Sequence, residues 1–156
     1  MRRVNAIFSL LIWVCLSHGQ ESKMLGNWKN NAIVKKDSSI TIVDGVFSYS
    51  TGNKTTNSGS MYILLKNGWL KFDYAGAGRW SVQKDTLTEL IDTFTITNGV
   101  FNSKPLEPSE LAELEEKFTI GMGKGSRQKY LISKLNDVAL TWKALDLNLT
   151  FTSYRQ

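Results

Sequence analysis

From Gly26 to Thr97 the chain runs in short apolar-rich stretches broken by turn signals, at the spacing of antiparallel strands and with no helix-period stretch between them. The pattern predicts a first strand over Gly26 to Val34 that carries Trp28. Ile40 to Val43 and Val46 to Ser50 flank Asp44-Gly45, which reads as a two-residue hairpin turn; Met61 to Lys66 and Trp69 to Tyr74 flank Asn67-Gly68, a second of the same type. Between them the polar, glycine-containing run Thr51 to Ser60 reads as a loop. Arg79 to Val82 and Leu87 to Thr97 flank Gln83 to Thr86, with Asn98-Gly99 closing the later strand.

The period changes once, at Pro105 to Phe118. Pro108 suits a first helical turn, Glu107, Glu110 and Glu113 suit the positive end of a helix, and Leu111, Leu114 and Phe118 recur on one face. This predicts one short amphipathic helix. After a glycine-rich connection over Gly121 to Gly125 come three more strands, at Lys129 to Leu135, Val138 to Leu145 and Leu147 to Tyr154. The last two alternate apolar and polar residues, so each has one wet and one dry side.

Strands in meander order with one late helix predict an all-β fold, a lipocalin-like up-and-down antiparallel barrel with the helix packed on it or plugging a mouth. A two-sheet sandwich competes, but a Greek key needs long return connections and the only long excursion here is the helical one. In a closed barrel, alternation points Leu70, Phe72 and Tyr74 inward from one strand and Val138, Leu140 and Trp142 from a later one. These six are the candidate core or cavity-lining, ligand-binding residues. The chain carries more large rings than one core of this size needs, and aromatic side chains offer a cavity or an interface large contact area.

The N-terminus has a different character. Arg2 and Arg3 precede a run from Val4 to Leu16 that is apolar apart from Asn5 and Ser9, and Ser17, His18 and Gly19 follow. Residues 1–19 therefore read as a signal peptide or an N-terminal membrane anchor, and 20–156 as one exported domain. The apolar run is shorter than the roughly 20 residues of a full span. A lipoprotein at Cys15 fits less well, because Val14 stands where a small residue is wanted.

Composition narrows the chemistry. The single cysteine and the single histidine, Cys15 and His18, both lie in that segment, so the folded domain holds no Ser-His-Asp or Cys-His arrangement, no histidine metal site and no disulfide. No catalytic residue, metal or cofactor is expected. The net charge of +5 falls to 5 − 2 = +3 without Arg2 and Arg3, and the basic residues form no stripe, so no contact with nucleic acid is expected. Asp73, Glu89, Asp92, Asp137 and Asp146 stand on or beside strands in no spacing that carries a mechanism, and read as solvated or turn residues. The acidic run Glu110 to Glu116 reads as the wet face of its helix. The cluster Gly121, Gly123, Lys124, Gly125 leaves a helix for a strand, the reverse of a phosphate loop, and reads as a connector.

The stretch Gly78-Arg79-Trp80-Ser81-Val82, a following strand, Ser103-Lys104 leading into an acidic helix that ends near Phe118, then Lys129 to Leu135 and a final strand pair, resembles the ToxS-type accessory proteins of enteric bacteria. Trp28 near the start of the domain, and Asp44, Gly45, Phe47 and Tyr49, agree more loosely. The family looks to include the bile-sensing VtrC and the fimbrial regulators PsaF and MyfF. The resemblance implies a non-enzymatic periplasmic subunit that pairs with the periplasmic domain of a membrane-bound winged-helix transcriptional activator. It further implies protection of that partner and response to an envelope signal such as bile salts or pH, with virulence or fimbrial genes under control. The localisation it implies is the periplasm, with residues 4–18 in the inner membrane if the segment is not cleaved. The alternative, from another class, is a stand-alone lipocalin-like carrier of an apolar small molecule; an envelope hydrolase using carboxylates comes third.

Overall fold

The computed structural model describes residues 20–36, 39–122, 125–145 and 149–156. The expectations for the N-terminal segment, and those for Gly123, Lys124, Asp146 and Leu147, lie outside these residues. Among the described residues no helix is long and apolar enough to cross a membrane.

Strands β1 (Gly26–Lys36), β2 (Ser39–Ser50), β3 (Lys54–Leu65), β4 (Gly68–Gln83) and β5 (Thr86–Phe101) each pair antiparallel with the next. A two-residue strand, β6 (Lys104–Pro105), extends the far end of β5 and leads into helix α1 (Pro108–Met122). Strand β7 (Arg127–Leu135) then returns to pair with β5, followed by β8 (Ala139–Ala144) and β9 (Leu149–Arg155), and β9 meets β1. All strands but β6 thus close an eight-stranded up-and-down barrel of lipocalin-like form, with every pair antiparallel. The meander and the helix between β6 and β7 are as the hydrophobic pattern predicts.

Several turn assignments are not. Asp44-Gly45 lies in the middle of β2, with Asp44 opposite Ser60 and Gly45 opposite Gly59. Here glycine serves close approach rather than a turn: a Cβ on Gly45 would stand 2.6 Å from the Tyr74 hydroxyl, and one on Gly59 would run into the Asp44 carbonyl. Most of the expected loop Thr51 to Ser60 is strand, because only Thr51–Asn53 turns, with Gly52 at φ 73° and Asn53 at φ 60°. Its polar inward residues, Thr55 and Asn57, face the barrel interior instead of water. Asn98-Gly99 does not end β5 either. The turn comes at Asn102-Ser103, both at positive φ (47° and 71°), where the Asn102 side-chain oxygen accepts the Trp69 N–H and the Asn102 N–H bonds the Trp69 carbonyl.

Two cores fill the barrel from opposite ends. At one end Met24, Trp28, Tyr49, Trp80, Val82, Leu87, Leu140 and Trp142 pack together. Residues 20–24 form a helical turn there, and Met24 is fully buried. Trp28 Nε1 donates to the Met24 carbonyl at 2.8 Å, while the Arg155 guanidinium stacks 4.5 Å from the centre of the Trp28 ring and donates to the carbonyls of Leu25 and Lys23. At the other end Met61, Phe72, Tyr74 and Ile96 meet Leu111, Leu114 and Phe118 of α1. The apolar stripe read from the helical period is the face that packs on the barrel.

Helix α1 starts at Pro108, and Glu110 Oε2 accepts the Glu107 N–H at 2.8 Å, the return half of a capping box. Not all of its acidic run faces water. Glu115 Oε2 accepts the Ile96 backbone N–H at 2.8 Å and so ties the helix to β5 beside the register shift at Asp73/Tyr74.

Candidate functional site: an internal cavity with a buried carboxylate

Between the two cores lies a cavity of about 340 Å³, at the small end of the roughly 300–1,000 Å³ typical of small-molecule sites. The alternation of every barrel strand points a residue into it, and most of those residues are apolar or aromatic. Trp142 on β8 anchors the ring cluster: its ring centre lies 4.4 Å from that of Tyr130, 4.6 Å from that of Phe151 and 6.3 Å from that of Phe47. Tyr74 stacks on Phe94 at 5.9 Å on the opposite wall, and Phe118 of α1, in edge contact with Phe72 at 4.9 Å, reaches in from the helix end.

The six residues predicted from alternation divide among three environments. Tyr74 and Trp142 line the cavity. Phe72 and Leu140 are buried in the two end cores, and Leu70 packs at the helix end. Val138 is the exception, 66% exposed and outside β8. The Asn136 side-chain oxygen accepts the N–H groups of Val138 and Ala139 at 3.0 and 2.8 Å, an Asx-type turn that holds Val138 before the regular alternation of β8 begins, although its carbonyl still accepts the Arg155 N–H at 2.9 Å. Its inward placement is therefore corrected to an exposed turn position.

The polar members of the wall escaped the sequence reading. Glu89, read as a solvated or turn carboxylate, is only 5% exposed and faces the cavity. The Tyr49 hydroxyl donates to Glu89 Oε1 at 2.7 Å, and the Tyr130 hydroxyl holds the same carboxylate. Burial pushes the Glu89 carboxyl above its usual value, and the two tyrosine hydrogen bonds pull against that rise. Burial, then the nearby Glu89 charge, holds the Tyr49 hydroxyl well above its ordinary value. Tyr74 is pushed up to about 12, by burial first and by the Asp44 charge second. All three groups resist ionisation for the same reason, the low dielectric of the interior. The only signal for Glu89 in the sequence was its place on the inward face, between Leu87 and Ile91.

Asn30 and Asn57 also line the cavity, and the side-chain oxygen of each is buried without a hydrogen-bond partner. A glycine makes room for the second, since a Cβ on Gly76 would collide with the Asn57 side-chain oxygen. Among the described lining residues there is no lysine, arginine or histidine. Among the described residues no group of His, Cys, Asp or Glu side chains is arranged to hold a metal.

One side of the barrel is incompletely zipped. The β1–β9 register covers Trp28↔Arg155, Lys29↔Tyr154 and Asn30↔Ser153, whereas β1 and β2 pair along all 11 residues of β1. Continued in the same register, Ala32 would face Phe151 and Val34 would face Leu149. All four line the cavity, yet no ladder joins them among the described residues. A second hollow of about 360 Å³ lies outside the barrel between α1, β5 and β6, rimmed by Lys104, Glu110, Glu113 and Lys117. It is the more open and the more charged of the two, which favours the internal cavity as the small-molecule site. Compared with known proteins, the chain matches no family model and no curated sequence.

Proposed function

We propose that this protein is a non-enzymatic, ligand-responsive periplasmic subunit, which pairs with the periplasmic domain of a membrane-bound winged-helix activator and stabilises it. The observation that carries this reading is the incomplete β1–β9 seam, whose unladdered residues Ala32, Val34, Leu149 and Phe151 line an apolar cavity. An unpaired strand edge is a site for strand addition, and a partner strand laid along 31–36 of β1 would at the same time wall the cavity. Any amphipathic molecule held there, a bile salt among them, then binds the complex better than either half and stabilises it by linkage. The outer face beside the seam supports the same partner: Ile33, Ile42 and Leu64 are exposed, and register pairs join Ile33 to Ile42. The ToxS-type resemblance supports the identity of the partner, and control of virulence or fimbrial genes would follow from it.

The test is co-expression with the periplasmic domain encoded by the neighbouring gene, followed by size-exclusion chromatography. One peak containing both chains at micromolar concentration is expected. Two separate peaks would sink the pairing and leave the stand-alone carrier, which the cavity favours by itself.

A further inference from the structure

We propose that the cavity takes an apolar molecule bearing a protonated amine, whose ammonium group seats against the Glu89 carboxylate. This names a ligand class for the cavity and rests on the ligand-binding reading above.

The argument is one of complementarity. Glu89 accepts from the hydroxyls of Tyr49 and Tyr130, which use their only protons in doing so, and an ionised carboxylate still has acceptor sites to spare. Asn30, 3% exposed, and Asn57 add two side-chain oxygens that find no donor among the described residues. The donors on the wall are neutral, among them the amides of Asn30, Asn57 and Gln128 and the Thr41 hydroxyl, and among the described lining residues no lysine, arginine or histidine answers the charge that Glu89 carries when ionised. A buried charge is normally paired. The group that best complements Glu89 is therefore cationic and rich in N–H donors, and an ammonium supplies three. The aromatic walls suit the same ligand, because the faces of Tyr130 and Trp142 favour a cation as well as an apolar body. A carboxylate buried at that position would meet Glu89 as a like charge. An anionic amphiphile such as a bile salt would have to bind with its hydroxyl groups inward and its charged end at the seam.

The experiment uses the purified whole protein and three probes with one apolar body, 4-phenylbutylamine, 4-phenylbutanol and 4-phenylbutyrate, titrated by calorimetry at neutral pH. The amine should bind at least about tenfold more tightly than the carboxylate, with the alcohol between them. Glu89→Gln should bring the amine down to the level of the alcohol and leave the alcohol unchanged. Equal binding of all three, or a preference for the carboxylate, overturns the proposal while leaving a ligand-binding barrel intact. Saturable binding of none of them overturns the amine proposal and the ligand-binding reading together. The order of the three probes on the native protein decides the question even if Glu89→Gln does not fold.

Discussion

The Tyr49 hydroxyl and the Glu89 carboxylate, 40 residues apart in the chain, meet inside the barrel at 2.7 Å. Both come from strand positions whose alternation faces inward, Tyr49 near the end of β2 and Glu89 near the start of β5, and the closed barrel brings them together. The bond is part of what lets a carboxylate remain in an apolar interior. Tyr49→Phe leaves the ring in its edge contact with Trp80 and removes only the donor. The expected loss is about 1.5–3 kcal/mol, the range for a hydrogen bond to a charged group, read from urea unfolding.

The pH dependence follows from Glu89. Its folded pKa is raised above the ordinary 4.5, so between those two values the folded chain holds a proton that the unfolded chain has released. The stability contributed by Glu89 is thus fully present below about pH 4.5 and is lost as pH rises through the raised value. Glu89→Gln removes this dependence. The difference between native and variant stabilities should slope in that window and be flat above it. A difference independent of pH from 4 to 8 would contradict the burial of the carboxyl.

Gly45 makes room for the Tyr74 hydroxyl. Gly45→Ala puts a Cβ 2.6 Å from Tyr74 Oη and 3.0 Å from the Ser58 carbonyl, and overpacking of this kind typically costs about 1–3 kcal/mol. Part of the cost should return when Tyr74→Phe removes the hydroxyl in the same chain. A double-mutant cycle measures that coupling; strict additivity would mean that the strand moves instead of the ring.

Phe118 fastens α1 to the barrel through Phe72 and also caps the cavity. Burial of this ring is partial, so Phe118→Ala should cost about 2–4 kcal/mol, somewhat below the usual figure for a fully buried phenylalanine. Hydrogen exchange should then quicken in Pro108–Met122 before it quickens in β4. Uniform acceleration throughout the barrel would show that helix and barrel unfold as one unit.

Val138 and Trp142, expected on one inward face, should now behave oppositely. Val138→Lys falls on an exposed turn and should change stability by less than about 0.5 kcal/mol. Trp142→Ala removes the hub of the ring cluster, where loss of a fully packed ring costs about 3–5 kcal/mol. Thermal unfolding with and without a bile salt adds a second readout, since loss of a cavity wall should also shrink the ligand-induced shift. An unchanged shift would assign Trp142 to packing alone.

The sequence by itself determined the meander, helix α1 with its apolar stripe, and the inward face of β4 and most of β8. All of these follow from local period, which is a property of neighbouring residues: period 2 with Leu70, Phe72 and Tyr74, and helical period with Leu111, Leu114 and Phe118. Tertiary structure decided what local period cannot carry. Glycine permits a turn and permits close approach equally well, so only the position of Tyr74 across the barrel makes Gly45 a strand residue. Polar residues inside a barrel resemble polar residues outside it, and Thr55, Asn57 and Glu89 become interior only when the eighth strand returns to the first. That closure is also where the candidate site arises. Asn30, Asn57 and Glu89, which line it, come from β1, β3 and β5, and the incomplete seam beside it lies between the two strands farthest apart in the chain.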